Sequence, residues 1–170
     1  MPHFVTREAH FTAEAADIAW SMVTTPPEWT AWMPDLKMIL REEEGELQQN
    51  ERIITYAAVR SRPSEHHWVV ENISEEHLFL RQEQEMRLDR LGSRAVNHLV
   101  HRWSRCKDAN GELFTFLVEW QFTGILSRLF LNRIARSTFT ATAQRTIETL
   151  ATAVIRSMQG YGPQQPPEEE

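Results

Sequence analysis

Apolar and polar residues alternate with a period of two through the middle of this chain, then switch to helical spacing for its last part. Six runs carry the alternation: LKMILREEE (36–44), ERIITYAAV (51–59), HHWVVENI (66–73), HLFLRQEQ (77–84), RAVNHLVHRWSRCK (94–107) and ELFTFLVEWQFTG (112–124). Turn-forming segments separate them: GELQQN, RSRPSE, ISEE, RLGS and DANG. A further run, His3 to Thr12, alternates loosely and predicts a first strand. Thr12 then stands where a helix N-cap belongs, with Glu14 and Asp17 near the positive end. Ala15, Ala16, Ile18, Ala19, Met22 and Val23 supply that helix's apolar positions, and Pro26 and Pro27 end it. From Ile125 to Met158 a long helix is predicted, with Ala143, Ile147, Leu150, Val154 and Met158 in one stripe and Arg145, Glu148 and Arg156 mostly off it. Strand, two short helices, six strands and a long helix predict an α+β fold. Its antiparallel sheet, joined by hairpins, can curve around the C-terminal helix.

The segment PPEWTAWMP (26–34) breaks this rhythm and holds two of the six tryptophans. Prolines at both ends leave room only for a short helical turn, because each fixes φ and lacks an N–H. Trp29, Trp32 and Met33 share one face of such a turn. An apolar turn of this kind predicts a lid packed over the end of an interior cavity nearest the helices.

The clearest hairpin signal is Asp108-Ala109-Asn110-Gly111, since Asn-Gly tolerates the positive φ of a tight turn. With Asn110 and Gly111 as the loop, His101 faces Trp120, Leu99 faces Phe122, Trp103 faces Val118 and Arg102 faces Glu119. A four-residue loop slides these pairs but keeps the same residues on each face. Leu99, Trp103, Phe116, Val118, Trp120 and Phe122 then point inward. Arg102, Ser104, Glu119 and Gln121 point outward, with Val100 and Leu117 as apolar exceptions. The same parity turns Asn97, His101 and Arg105 inward. Burying such groups costs a few kcal/mol each unless they find partners. They mark either a wet or ligand-filled cavity or, in the plainer reading, satisfied core groups and positions at the sheet's ends.

Composition narrows the function. A net charge of −6 argues against a nucleic-acid partner. The single cysteine, Cys106, permits no intrachain disulfide and suits a reducing compartment. No basic segment followed by an apolar one opens the chain, and no run of about 18 apolar residues predicts a membrane span. The expectation is a cytoplasmic protein with one domain over residues 1–158 and a disordered, Pro-rich acidic tail over 159–170.

Candidate chemistry is sparse. His66 and His67 are adjacent and split across a strand, as do His98 and His101, three apart. With one cysteine and no H-E-x-x-H, neither a metal site nor any cofactor is expected. Nothing places a histidine beside Cys106. The LGS at 91–93 is a turn and not a phosphate loop, and Glu42-Glu43-Glu44 is a solvated strand end. Arg128, Arg133 and Arg136 either form a solvated helix face or meet an anionic head group.

The Trp29, Trp32 and Pro34 element, the strand run that follows it, and GILSRLFLNRIARSTFTATAQRTIETLATAV (124–154) resemble the START-like, Bet v 1-like (SRPBCC) superfamily. Within it the chain looks most like the polyketide cyclase/dehydrase-type group. The W-x-x-W-M-P element, Gly124 before the closing helix, and arginines at 128, 133 and 136 carry the likeness, which covers about residues 3–158. Asn50-Glu51 departs from the Gly-Asp turn that family members often have before the third strand. The resemblance implies a helix-grip fold: a curved seven-stranded antiparallel sheet around a long C-terminal helix, with two short helices after the first strand. It also implies a hydrophobic small molecule, such as a lipid, a quinone or a polyketide, held between sheet and helix. One alternative is a cyclase/dehydratase-like enzyme in the same cavity, with His101 or Tyr56 as acid or base. Another is an interaction module with a vestigial cavity. The expected pocket residues are Trp32, Met33, Met38, Tyr56, Trp68, Asn97, Leu99, His101, Trp103, Phe116, Val118, Trp120, Phe122, Phe130 and Ile134. Oligomeric state is open, since an edge strand can pair across a dimer or be blunted by charge.

Overall fold

A computed structural model describes residues 2–59, 62–87, 96–122 and 125–160, with side chains for all of these except 59, 62, 84–87, 96–97 and 125–130. The elements are β1 (His3–Phe11), α1 (Ala13–Thr24), a 3-10 turn (Pro26–Glu28), α2 (Trp29–Trp32), β2 (Leu36–Arg41), β3 (Arg52–Val59), β4 (Arg62–Ile73), β5 (His77–Arg87), β6 (Val96–Asp108), β7 (Gly111–Phe122) and α3 (Ile125–Met158). All seven strands form one curved antiparallel sheet in the order β1-β7-β6-β5-β4-β3-β2. Chain order is kept from β2 to β7, and β1 closes the sheet beside β7. This is the helix-grip arrangement expected from the element order and the resemblance. Most of the expected acidic tail, residues 161–170, lies outside the described residues.

β7 anchors the core. Its burial alternates along its whole length, with Phe114, Phe116, Val118, Trp120 and Phe122 all on the buried face. The long helix lies against this face through Ala143, Ile147, Leu150 and Val154, and Phe139 meets Trp120 at 4.9 Å between ring centroids. Met158, expected at the end of that stripe, is instead 46% exposed. At the other end of the sheet α1 starts on Thr12, whose hydroxyl accepts the Ala15 N–H at 3.4 Å. It buries Ala15, Ala16, Ala19, Trp20 and Val23. Arg105, inward by parity, is satisfied there. Its guanidinium lies 5.2 Å over the Trp20 ring and pairs with Asp17 at 3.0 Å and Glu112 at 3.7 Å.

Two expectations shift. The β6–β7 loop is Ala109 and Asn110, not Asn110 and Gly111, so Asp108 pairs with Gly111 and His101 faces Val118. Leu99 faces Trp120 and Trp103 faces Phe116. The slide is by two residues, an even number, so every side chain keeps its face. Its cause is steric. Gly111 has φ +144, and a Cβ there would sit 2.1 Å from the Phe11 carbonyl oxygen. The glycine therefore serves the approach of β1, while the Asp108 carboxylate holds the turn by accepting the Asn110 N–H at 2.8 Å. The second shift concerns RSRPSE. β4 already begins at Arg62, so residues 62–65 are strand. Pro63 is the second residue of β4 and pairs with Ala58 of β3.

The departure at Asn50-Glu51 also has a physical reading. Asn50 takes φ 66, a left-handed conformation that asparagine adopts more readily than most residues. Glu51 then turns inward and forms a two-pronged ion pair with Arg41, at 2.6 and 3.0 Å. Both side chains are nearly buried, at 4% and 8% exposure, and Glu51 also accepts the Gln48 N–H.

Glu51→Gln, which strands the Arg41 charge, is expected to cost about 3 kcal/mol in urea denaturation. Gly111→Ala is expected to cost more than about 1 kcal/mol by the same measurement, because both its φ and its contact with Phe11 forbid a side chain.

Candidate functional site

The inner face of β4 sets out its residues at every second position: Ser64, His66, Trp68 and Val70. Their β3 partners across the ladder are Ala57, Thr55, Ile53 and the chain just before Arg52. Polar groups here are paired in a chain. The Gln82 amide N–H donates to His66 Nδ1 at 2.7 Å. That leaves Nε2 to carry the ring proton and donate to the Ser64 hydroxyl at 2.8 Å, and Ser64 donates onward to the Ala57 carbonyl at 3.5 Å. The Trp68 indole N–H donates to Thr55 Oγ1 at 3.0 Å.

His101 on β6 is different. Its ring is held between Trp68, 4.6 Å away, and the edge of Phe116, 5.3 Å away. It makes no hydrogen bond with another described residue, although part of its surface stays open. Burial, aided by repulsion from His66, lowers its pKa to about 3. At neutral pH the ring is therefore an uncharged imidazole with one donor and one acceptor nitrogen. From His101 the aromatic contacts continue inward, Phe116 on Trp103 at 4.3 Å and Trp103 on Trp32 of α2 at 6.0 Å. The Trp32 indole N–H is buried without a hydrogen-bond partner among the described residues, as is that of Trp120. Trp29 is satisfied by the Val23 carbonyl at 3.0 Å.

The structure thus brings Trp32, Trp68, His101, Trp103 and Phe116 into one continuous seam. Leu99, Val118, Trp120 and Phe122 are buried on the same face, with Trp120 against α3, and Met33 is partly buried against the core. Three expected pocket residues lie elsewhere. Met38 pairs with Tyr56, and Tyr56 with Glu65, so both sit on the outer face of the sheet. Met38 is 45% exposed there. The Tyr56 hydroxyl bonds to Glu65, which raises the phenol's pKa, and Glu65 is bonded in turn to His67 at 2.5 Å. Bonds to His67 and Tyr56 lower the pKa of Glu65. Tyr56 therefore cannot act with His101, because strand parity turns it to the other side. Ile134 on α3 is 64% exposed. The side chains of Asn97 and Phe130 lie outside the described residues.

Sequence reasoning passed over Thr55, Ser64, His66 and Gln82. For His66 a signal was present, since it stands two residues before the inward Trp68. For Gln82 the signal was its place two residues after Leu80, since Leu78, Leu80 and Gln82 are all buried on one face of β5, while its pairing with Trp68 is set by the β4–β5 ladder. The described surface also has two open grooves of note. One, of about 520 Å³, lies at β2–β4 beside Arg41, Glu51, Ile53 and Trp68. The other, of about 530 Å³, lies between Arg7 of β1 and one side of α3. His101 lines neither. No group of three or more histidine, cysteine or acidic side chains that could hold a metal ion occurs among the described residues. No described helix is long and apolar enough to cross a membrane.

Fold and inner face together define a START-like protein of the helix-grip kind. The chain belongs to the family described as "Polyketide cyclase / dehydrase and lipid transport", whose pattern matches residues 2–154. Solved structures share the fold at low identity. A START superfamily protein from Mycobacterium smegmatis is 14% identical with a TM-score of 0.66, over 91% of this chain and 99% of that one. The Zhui aromatase/cyclase of a Streptomyces species is 12% identical with a TM-score of 0.66, over 96% of this chain and 100% of that one. The di-domain aromatase/cyclase StfQ of the steffimycin biosynthetic pathway is 12% identical with a TM-score of 0.73. That match covers 94% of this chain and 53% of StfQ. No curated protein matches the sequence.

The lowered His101 pKa fixes the sign of a pH effect. Between an unfolded pKa near 6.5 and the folded value of about 3, the unfolded chain binds a proton that the native ring refuses. His101 is thus expected to make stability fall with pH below about 6.5, by at most about 1.4 kcal/mol per pH unit. In urea denaturation the parent is expected to lose about 2 kcal/mol more than His101→Phe between pH 7 and pH 5, and equal losses would show that the native ring takes up the proton.

Proposed function

We propose that this protein binds a hydrophobic small molecule, of the lipid, quinone or polyketide kind, against the inner face of the sheet at His101. The observation that carries the reading is His101: a neutral imidazole, walled by Trp68 and Phe116, with neither nitrogen bonded to a described residue. A ring so placed suits an uncharged ligand oxygen, either a hydroxyl or a carbonyl, better than a carboxylate, which would have no cation beside it. The aromatic seam supplies apolar contact for the rest of the molecule. The buried indole N–H of Trp32 is a second donor waiting for an acceptor.

In this reading α2 is the lid. Trp32 rests edge-on against Trp103, so a ligand reaching His101 from that end displaces the turn. Asp35, with φ 62, follows the lid and pairs with Arg145 of α3 at 3.1 Å, fastening it to the long helix.

Family membership and the aromatase/cyclase names of two structural neighbours favour a second reading, in which the same inner face folds a polyketide-like chain and His101 assists proton transfer. A ring with a pKa of about 3 is a weak base at neutral pH. It would act by hydrogen-bonding a carbonyl and by holding the chain in a reactive conformation.

Native mass spectrometry of gently purified protein, followed by tryptophan-fluorescence titration with quinones, fatty alcohols and aromatic polyketides, tests the binding reading. Trp68 beside His101 makes quenching the expected signal. His101→Leu should weaken an oxygen-bearing ligand about tenfold, equal to about 1.4 kcal/mol, while leaving a pure hydrocarbon analogue unchanged. Binding of neither class to the parent protein would overturn the reading. Conversion of a bound polyketide, lost in His101→Leu with binding retained, would establish the second.

A further inference from the structure

The groove between β1 and α3 is unused by the reading above and carries a different chemistry. Of the arginines whose side chains are described, Arg41, Arg52, Arg81, Arg102, Arg105 and Arg145 each lie within ion-pair distance of a carboxylate. Arg7, Arg133 and Arg136 have no such partner among the described residues, and all three line this one groove. Arg156 also lacks one but lies two turns and more beyond it along α3. In a chain of net charge −6, these three guanidinium groups have gathered with no described carboxylate within ion-pair distance. Cations placed together without a counter-charge repel one another and leave a local positive potential.

The placement is built from two elements. Arg133, Arg136, Ser137 and Thr140 stand at i, i+3, i+4 and i+7, so they share one side of α3. Arg7 comes from β1 opposite Phe116, at a strand position whose parity turns it inward between Val5 and Ala9. It is only half-buried, and its sole hydrogen bond with a described residue is from Nη1 to the Thr6 carbonyl at 2.7 Å. The remaining guanidinium donors are free for a ligand. Three forked cations with two hydroxyl donors offer more hydrogen bonds than one carboxylate accepts, and match the several terminal oxygens of a phosphate. The groove, about 530 Å³, leaves room for an organic group attached to it.

We propose that the β1–α3 groove binds the phosphate of an organophosphate, with Arg7, Arg133 and Arg136 as its cationic contacts. The phosphate belongs either to a soluble phosphomonoester or to a lipid head group, and the same residues serve both. This site is independent of any ligand at His101.

The test uses the full chain at low salt with two probes. Glycerol 3-phosphate is titrated by amide NMR or calorimetry, and phosphatidylcholine vesicles with and without phosphatidic acid are used in co-flotation. The expected result is saturable binding of at least one phosphate probe, weakened by added salt and reduced about tenfold or more in the double variant Arg133→Gln/Arg136→Gln. Arg156→Gln, an unpaired arginine outside the groove, should bind as the parent does. Binding of glycerol 3-phosphate assigns a soluble ligand, and binding only to phosphatidic acid vesicles assigns a head group. No binding of either probe, or equal binding by the folded double variant, would overturn the proposal. Both substituted arginines are exposed, so an unchanged melting temperature is expected to certify the fold.

Discussion

Along β7 every second residue is buried, and from Phe114 to Phe122 each of these is large and apolar. Both neighbouring strands are ordered by that stripe. β1 sets Val5 opposite Val118, and β6 sets Leu99 opposite Trp120 and Trp103 opposite Phe116. The long helix lies on the same stripe, where Ala143 at 0% exposure lets its backbone come close. A slip of one residue in either ladder would carry five large apolar groups to water, so the register is held by a hydrophobic penalty far larger than any turn preference. Within that constraint an even slide is free of such a penalty, and the contact of Gly111 with the Phe11 carbonyl decides which even register is taken.

The same sheet treats its polar inward groups in two ways. Where a neighbouring element reaches them they are satisfied: Arg105 by Asp17 and Glu112, His66 by Gln82 and Ser64, Trp68 by Thr55. α3 packs over the β1–β7 half, whereas His101 stands on the side toward β4. There its ring contacts are with Trp68 of β4 and Phe116 of β7. An imidazole kept neutral by burial, without a hydrogen bond from a described residue, lowers stability compared with an apolar residue of its size.

Charge follows a similar division. Acidic residues outnumber basic ones, yet most described arginines are drawn into ion pairs that join separate strands or tie helices to the sheet. Arg145 fastens the segment after α2 to α3, and Arg41 locks the β2–β3 connection around Glu51. Against that background Arg7, Arg133 and Arg136 at the β1–α3 groove, which have no ion-pair partner among the described residues, stand apart electrostatically.

The sequence by itself determined the elements, because periods of two and 3.6 are written locally: the bounds of α3 and the inward face of β6 and β7 follow from them. It also determined that Trp29 and Trp32 would be buried in a short turn between prolines. What it could not determine is which strand faces meet across the sheet away from the well-marked hairpin. Tyr56 and Met38 look like pocket residues by type, but the pairing of β2, β3 and β4 places them outside, and the β4–β5 ladder sets the buried Gln82 beside Trp68. Likewise no local pattern reveals that Arg7 would join Arg133 and Arg136, residues more than a hundred positions away. Side-chain parity is local and survives in the sequence, whereas convergence depends on ladder register and helix placement, which only the tertiary structure decided.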